Sequence, residues 1–85
     1  MQIHLKFFAS LREAVGTGSE SVSLPSDVTT AGQVRDFLRA RGGAYAQALA
    51  EGRPVRVAIN QVMARADTPL SEGAEVGLFP PVTGG

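Results

Sequence analysis

Histidine, the side chain best suited to moving protons near neutral pH, occurs once, as His4, next but one to Lys6. No second ligand type or nucleophile stands near it in sequence, so the ordinary reading is a surface residue. The carboxylates Glu13, Glu20, Asp27, Asp36, Glu51, Asp67, Glu72 and Glu75 are scattered through loops and solvated faces. No spacing pairs them for acid–base work or sets them out as metal ligands. Cysteine is absent, which removes disulfides, thiolate metal sites and thiol nucleophiles together. Gly16-Thr17-Gly18 lacks the Lys-Ser/Thr of a phosphate loop and suits a turn. The chain alone is therefore expected to be no enzyme, with no bound metal or cofactor.

One reactive group remains, the carboxylate of Gly85. Gly42-Gly43 follows helical sequence and is explained by a helix stop, but no element follows Gly84-Gly85. Pro80-Pro81 favours an extended backbone, after which Val82, Thr83, Gly84 and Gly85 project from the fold. From Pro81 onward such a tail reaches at most about 17 Å, and its tip has no side chains. A tip of that kind can enter a narrow channel and present its carboxylate to another protein's active site. A frayed end is the bland alternative. The expected organisation is a domain over 1–80 and a flexible tail over 81–85.

The elements that must hold this tail are legible in the periodicities. Ile3, Leu5 and Phe7 alternate with His4, Lys6 and Phe8, as in a half-buried strand. Ala9 to Val15 suits a short helical turn closed by Gly16. Glu20, Val22 and Leu24 alternate with serines in a second strand, expected antiparallel to the first. Thr30 with Gln33 forms a capping-box pattern, and Val34, Phe37, Leu38 and Arg41 recur at helical spacing up to Gly42-Gly43. Ala44 to Glu51 is helical in composition. Val55 to Ile59 alternates as a third strand, Asn60-Gln61 suits a tight turn, and Val62 to Arg65 reads as a fourth. Asp67 to Ala74 reads as loop, and Glu75 to Phe79 as the last strand.

Strands are not interleaved one for one with helices, which favours an α+β roll over a doubly wound sheet. A mixed sheet of four to five strands around one main helix is the β-grasp, or ubiquitin-like, architecture. If Ile3, Leu5 and Phe7 face the core, Phe8 faces outward. If Val76 and Leu78 face the core, Phe79 also faces outward. Two phenylalanines on the solvent side of strands mark a candidate partner surface directly before the tail.

Basic and acidic residues number 8 each, so the electrostatic footprint needed for nucleic acid or an anionic membrane is missing. The first residues lack the basic and apolar regions of a signal peptide, and no apolar run approaches a membrane span. A cytoplasmic location is expected.

Four segments carry a family resemblance. They are Leu5-Lys6-Phe7-Phe8-Ala9-Ser10-Leu11-Arg12-Glu13 with Gly16, Val57-Ala58-Ile59-Asn60-Gln61, Pro69-Leu70-Ser71-Glu72-Gly73-Ala74-Glu75-Val76, and Phe79-Pro80-Pro81-Val82-Thr83-Gly84-Gly85. Together they resemble the small subunit of molybdopterin synthase over the whole chain, most specifically at the end. The resemblance implies a sulfur carrier for molybdenum-cofactor biosynthesis. A ubiquitin-activating-type enzyme would use ATP to adenylate Gly85, and a desulfurase- or rhodanese-type donor would convert the adenylate to a thiocarboxylate. The tail would then deliver sulfur to cyclic pyranopterin monophosphate inside the large subunit, forming the dithiolene. It further implies a heterotetramer of two small and two large subunits. Gly84 and Gly85 are its functional residues, and Phe8, Met63 and Phe79, with Pro80, Pro81, Val82 and Thr83, its partner-binding positions. Rival readings are the sulfur carrier of thiamine biosynthesis, typically shorter and without the Phe-Pro-Pro segment, a ubiquitin-like modifier joined to lysines through Gly85, and a plain interaction module with an idle tail.

Overall fold

Alternation of apolar and polar residues produces the first strand, β1 (Gln2–Phe7), with Ile3, Leu5 and Phe7 buried and Gln2, His4 and Lys6 exposed. The structure, a computed structural model, describes residues 1–80. After β1 come α1 (Ala9–Val15), β2 (Ser19–Ser23), α2 (Ala31–Arg39), α3 (Gly43–Ala48), β3 (Arg56–Ile59), β4 (Val62–Met63) and β5 (Glu75–Phe79). The strands form one mixed sheet in the order β2-β1-β5-β3-β4. β1 pairs antiparallel with β2 and parallel with β5, and β5 pairs antiparallel with β3. The first and last strands thus lie side by side at the centre. This is the β-grasp fold.

Helix α2 fills the concave face. Thr30 accepts a hydrogen bond from the Gln33 amide at 3.3 Å, and the Thr30 amide donates to the Gln33 side chain at 3.1 Å. This reciprocal cap satisfies two groups that a helix start otherwise leaves open. Val34 and Leu38, spaced one turn apart, are fully buried against Ile3, Leu5, Val76 and Leu78 of the central strands.

The boundaries of several elements differ from the sequence expectation. The fourth strand ends at Met63 and not Arg65. The Arg65 amide turns to the Thr68 hydroxyl at 2.9 Å, and the Ala66 carbonyl accepts from the Gly32 amide at 2.8 Å, drawing the chain toward α2. The third strand begins at Arg56. Helix α3 stops at Ala48, because the carbonyls that follow bind a side chain from elsewhere. The Arg35 guanidinium donates to the carbonyls of Leu49, Ala50 and Arg53 at 3.1, 2.7 and 2.7 Å. The Asn60-Gln61 turn is present, with φ of +51° and +69°, the geometry of a tight hairpin between β3 and β4.

At the far end of the concave face the Arg41 guanidinium grips both carboxylate oxygens of Glu20, at 2.9 and 2.6 Å. It also lies 5.0 Å from the Tyr45 ring centre and 5.8 Å from that of Phe37. This fork links β2 to the segment after α2. Its hydrogen bonds hold the Glu20 carboxyl below its ordinary pKa, against the opposing effect of burial, and hold Arg41 above its own. A lowered folded-state pKa gives stability that is present above the unfolded carboxylate pKa and lost as pH falls through the folded value. Glu20→Gln should therefore destabilise the fold at pH 7 and much less near pH 3, in urea titrations at both pH values. Thr30→Ala should cost about 1 kcal/mol at either pH.

Candidate functional site

The convex face of the sheet is divided. Its β2–β1 half is polar, with Ser19, Ser21 and Ser23 beside His4 and Lys6. His4 Nδ1 and the Ser21 hydroxyl are 2.9 Å apart, at the edge of an open groove of about 640 Å³ also lined by Lys6, Asn60 and Glu75. This is a hydrogen bond on an open strand surface. The Lys6 ammonium meets the Glu75 carboxylate at 3.3 Å, with side chains 47% and 29% exposed. Water screens such a pair, which is worth little. Among the described residues no group of histidine and carboxylate side chains could hold a metal ion.

The other half is apolar and is assembled by strand register. Lys6 lies opposite Gly77, Gly77 opposite Ala58, and Ala58 opposite Met63, so one row crosses four strands. Gly77 and Ala58 leave this row without bulk at its centre. The Phe8 ring occupies the space, and a Cβ placed on Gly77 would lie 3.1 Å from Phe8 Cε2. A glycine inside a strand often marks such a close approach. The ring then meets Phe79 edge to face, with centroids 5.9 Å apart and planes at 84°. Edge-to-face contact suits the opposed charge of ring edge and ring face.

Phe8 is not the last residue of β1. It is the N-cap of α1, with an extended backbone whose amide donates to the Leu78 carbonyl at 3.1 Å. The next residue, Ala9, has φ of +51°, a left-handed conformation that non-glycine residues rarely adopt. This corner turns the chain from strand to helix and leaves Phe8 on the convex face. Phe8 is 45% exposed, Met63 52% and Val62 68%. Phe79 and Pro80 are only half-buried, so Phe79 is less open than alternation implies, because Phe8 leans on it.

The fold thus brings Phe8 against Phe79, with Met63 in the adjoining row and Pro80 at the margin where β5 ends. Pro81, Val82, Thr83, Gly84 and Gly85 lie outside the described residues. Sequence reasoning missed Gly77, whose signal was a glycine inside an otherwise strand-like run, and Ala58, which carried none.

A profile of the ThiS family matches residues 5–85. The chain belongs to the ThiS family. It is 41% identical over 83 residues to the molybdopterin synthase sulfur carrier subunit of Escherichia coli (strain K12), covering 98% of this chain and 99% of that protein. It is 33% identical over 93 residues to small archaeal modifier protein 3 of Haloferax volcanii, covering 100% of each. A Haloferax volcanii protein solved in solution superposes with a TM-score of 0.81 at 35% identity, covering 100% of this chain and 87% of that one. The resemblance to molybdopterin synthase small subunits therefore extends over nearly the whole chain.

In this ThiS-family chain the Phe8 ring of the apolar face is seated on the backbone of a central strand. Gly77→Val should lower stability by about 1–3 kcal/mol through overpacking against the ring, and Phe8→Ser by about 1 kcal/mol. The double variant should lose less than the sum, since serine removes the obstacle. Urea unfolding of all four proteins measures this coupling, and strict additivity would show that the ring does not occupy the seat.

Proposed function

We propose that this chain is a sulfur carrier for the molybdopterin dithiolene and that its reactive group is the Gly85 carboxylate. The observation that carries the reading is the apolar face of Phe8, Phe79 and Met63 at the end of β5, the last strand before Gly84-Gly85 in the sequence. It is supported by an end-to-end likeness to a protein described as a molybdopterin synthase sulfur carrier subunit. An adenylating enzyme of the ubiquitin-activating type docks on the apolar face. A Gly85 carboxylate oxygen attacks the α-phosphate of its ATP, pyrophosphate leaves, and an acyl adenylate forms. Persulfide sulfur from the donor then attacks the acyl carbon and AMP departs, giving an acyl disulfide. A second donor thiolate attacks the donor-side sulfur, so the S–S bond breaks, the Gly85 thiocarboxylate leaves, and a disulfide remains on the donor. The large subunit of molybdopterin synthase uses the same face, admits the tail, and takes the sulfur for cyclic pyranopterin monophosphate. The small chain supplies the leash and the docking face while its partners supply the catalytic groups. No thiol is needed on the carrier, consistent with the absence of cysteine.

A second use, as a modifier joined to lysines through Gly85, is favoured by the likeness to a small archaeal modifier protein. Both uses begin with the same adenylate and part at the acceptor, which is sulfur in one and an amine in the other.

Appending one alanine after Gly85 moves the reacting carbon by about 3.4 Å, and misplacement by 1 Å can cost about a hundredfold in rate. Dithiolene formation should be assayed with the activating enzyme, sulfur source and large subunit all supplied. The extended chain and a Gly85 deletion should fold normally and bind the large subunit with only modest weakening, yet form no dithiolene. Full activity from the extension, its terminus verified intact by mass, would sink the sulfur-carrier reading.

A further inference from the structure

On the docking reading above, we propose that Arg56 is a specificity contact of the apolar face, where it recognises a carboxylate on the large subunit. Arg56 opens β3 directly opposite Phe79. Directly opposite residues of an antiparallel pair share a face, with Cβ atoms about 5 Å apart. The Arg56 side chain therefore rises from the convex surface beside the ring that meets Phe8. It is exposed.

The other charges near this face are already accounted for. Lys6 and Glu75 engage each other at 3.3 Å. Glu72 accepts from the Gln2 amide at 2.9 Å at the opposite end of β1. His4 is held by Ser21. Arg56 pairs with no carboxylate among the described residues, whose ion pairs are Lys6–Glu75, Arg39–Asp36 and Arg41–Glu20.

A partner covering Phe8 and Phe79 at the usual scale of about 800 Å² per side would take Arg56 into its footprint. Removing water from an unpaired guanidinium is strongly unfavourable, so a compatible partner must supply an acceptor there. A carboxylate fits best, because the guanidinium fork can meet both of its oxygens. The partner surface is thus an apolar socket for the phenylalanine pair, bordered by an aspartate or glutamate on the β3 side. Proteins offering the socket without the acid bind less well.

The test measures the dissociation constant of the full chain with its cognate large subunit by calorimetry, at about 50 mM and about 300 mM NaCl. Wild type, Arg56→Gln, Arg56→Lys and Phe8→Ser are compared, with unfolding midpoints recorded for each. Arg56→Gln should weaken binding about tenfold at low salt and clearly less at high salt, with an unchanged unfolding midpoint. Arg56→Lys, which keeps the charge but loses the fork, should fall between. Wild-type binding by Arg56→Gln at both salts, alongside weakened Phe8→Ser, would overturn the Arg56 assignment and leave the docking reading standing. A loss for Arg56→Gln that is the same at both salts would also overturn it, since stem packing and not charge would then be the contact. If Phe8→Ser binds like wild type, the docking reading itself falls, and Arg56 with it.

Discussion

The parallel pairing of β1 with β5 is the constraint on which the rest of the molecule depends. It sets His4 opposite Glu75 and Phe7 opposite Leu78, joining segments about seventy residues apart in sequence at the centre of the sheet. The buried faces of the two strands then supply Ile3, Leu5, Phe7, Val76 and Leu78, against which α2 closes the core. Because the strands run in the same direction, both leave the sheet at the same end. The residue following β1 is Phe8 and the last of β5 is Phe79, so the two rings meet there by topology. An antiparallel arrangement would have placed them at opposite ends. The apolar face and the end of β5 are one place for the same reason.

On the proposed function, that coincidence matters energetically. On that function, holding residues 81–85 in a partner's channel would cost about 5–10 kcal/mol, less whatever the prolines pre-organise. Contacts made by the folded body must offset it, and a body that reorganised on binding would add its own cost. Phe8 packs against the Gly77 backbone and the Phe79 ring, and the helix that follows it is anchored by Leu11, which is 6% exposed. The left-handed Ala9 is an unfavourable local conformation that the surrounding structure holds in place. It sits where such a residue sets the direction of the side chain before it.

Local signals carried most of what the sequence disclosed. The Thr30–Gln33 cap, the Asn60-Gln61 turn and the alternation in β1 and β5 depend on residues within a few positions of one another, and each appears in the structure. The family resemblance is itself a sum of short segments. Features joining distant residues were silent. Glu20 and Arg41, 21 positions apart, look in sequence like two solvated charges, but they form a forked pair beneath two aromatic rings. Arg35 reads as a helix surface residue and in fact caps the chain after α3, which shortens that helix. Phe8 was expected outward by strand alternation and lies outward for another reason, the helix cap and the glycine seat. Alternation also could not show that the same ring would half-cover Phe79. The role given to Gly84 and Gly85 came from composition, position and resemblance, since those residues lie outside the described structure.

We propose the Gly85 carboxylate as the chemical handle that carries sulfur. Intact mass of the chain purified from its own host tests it most directly, with terminal peptide fragmentation to locate any change. A sulfur carrier should show a population heavier by the difference between sulfur and oxygen, with the substitution at Gly85 and loss of that population when the activating enzyme is deleted. An unmodified Gly85 under conditions of active cofactor synthesis, or one found only in isopeptide linkage to other proteins, would contradict it.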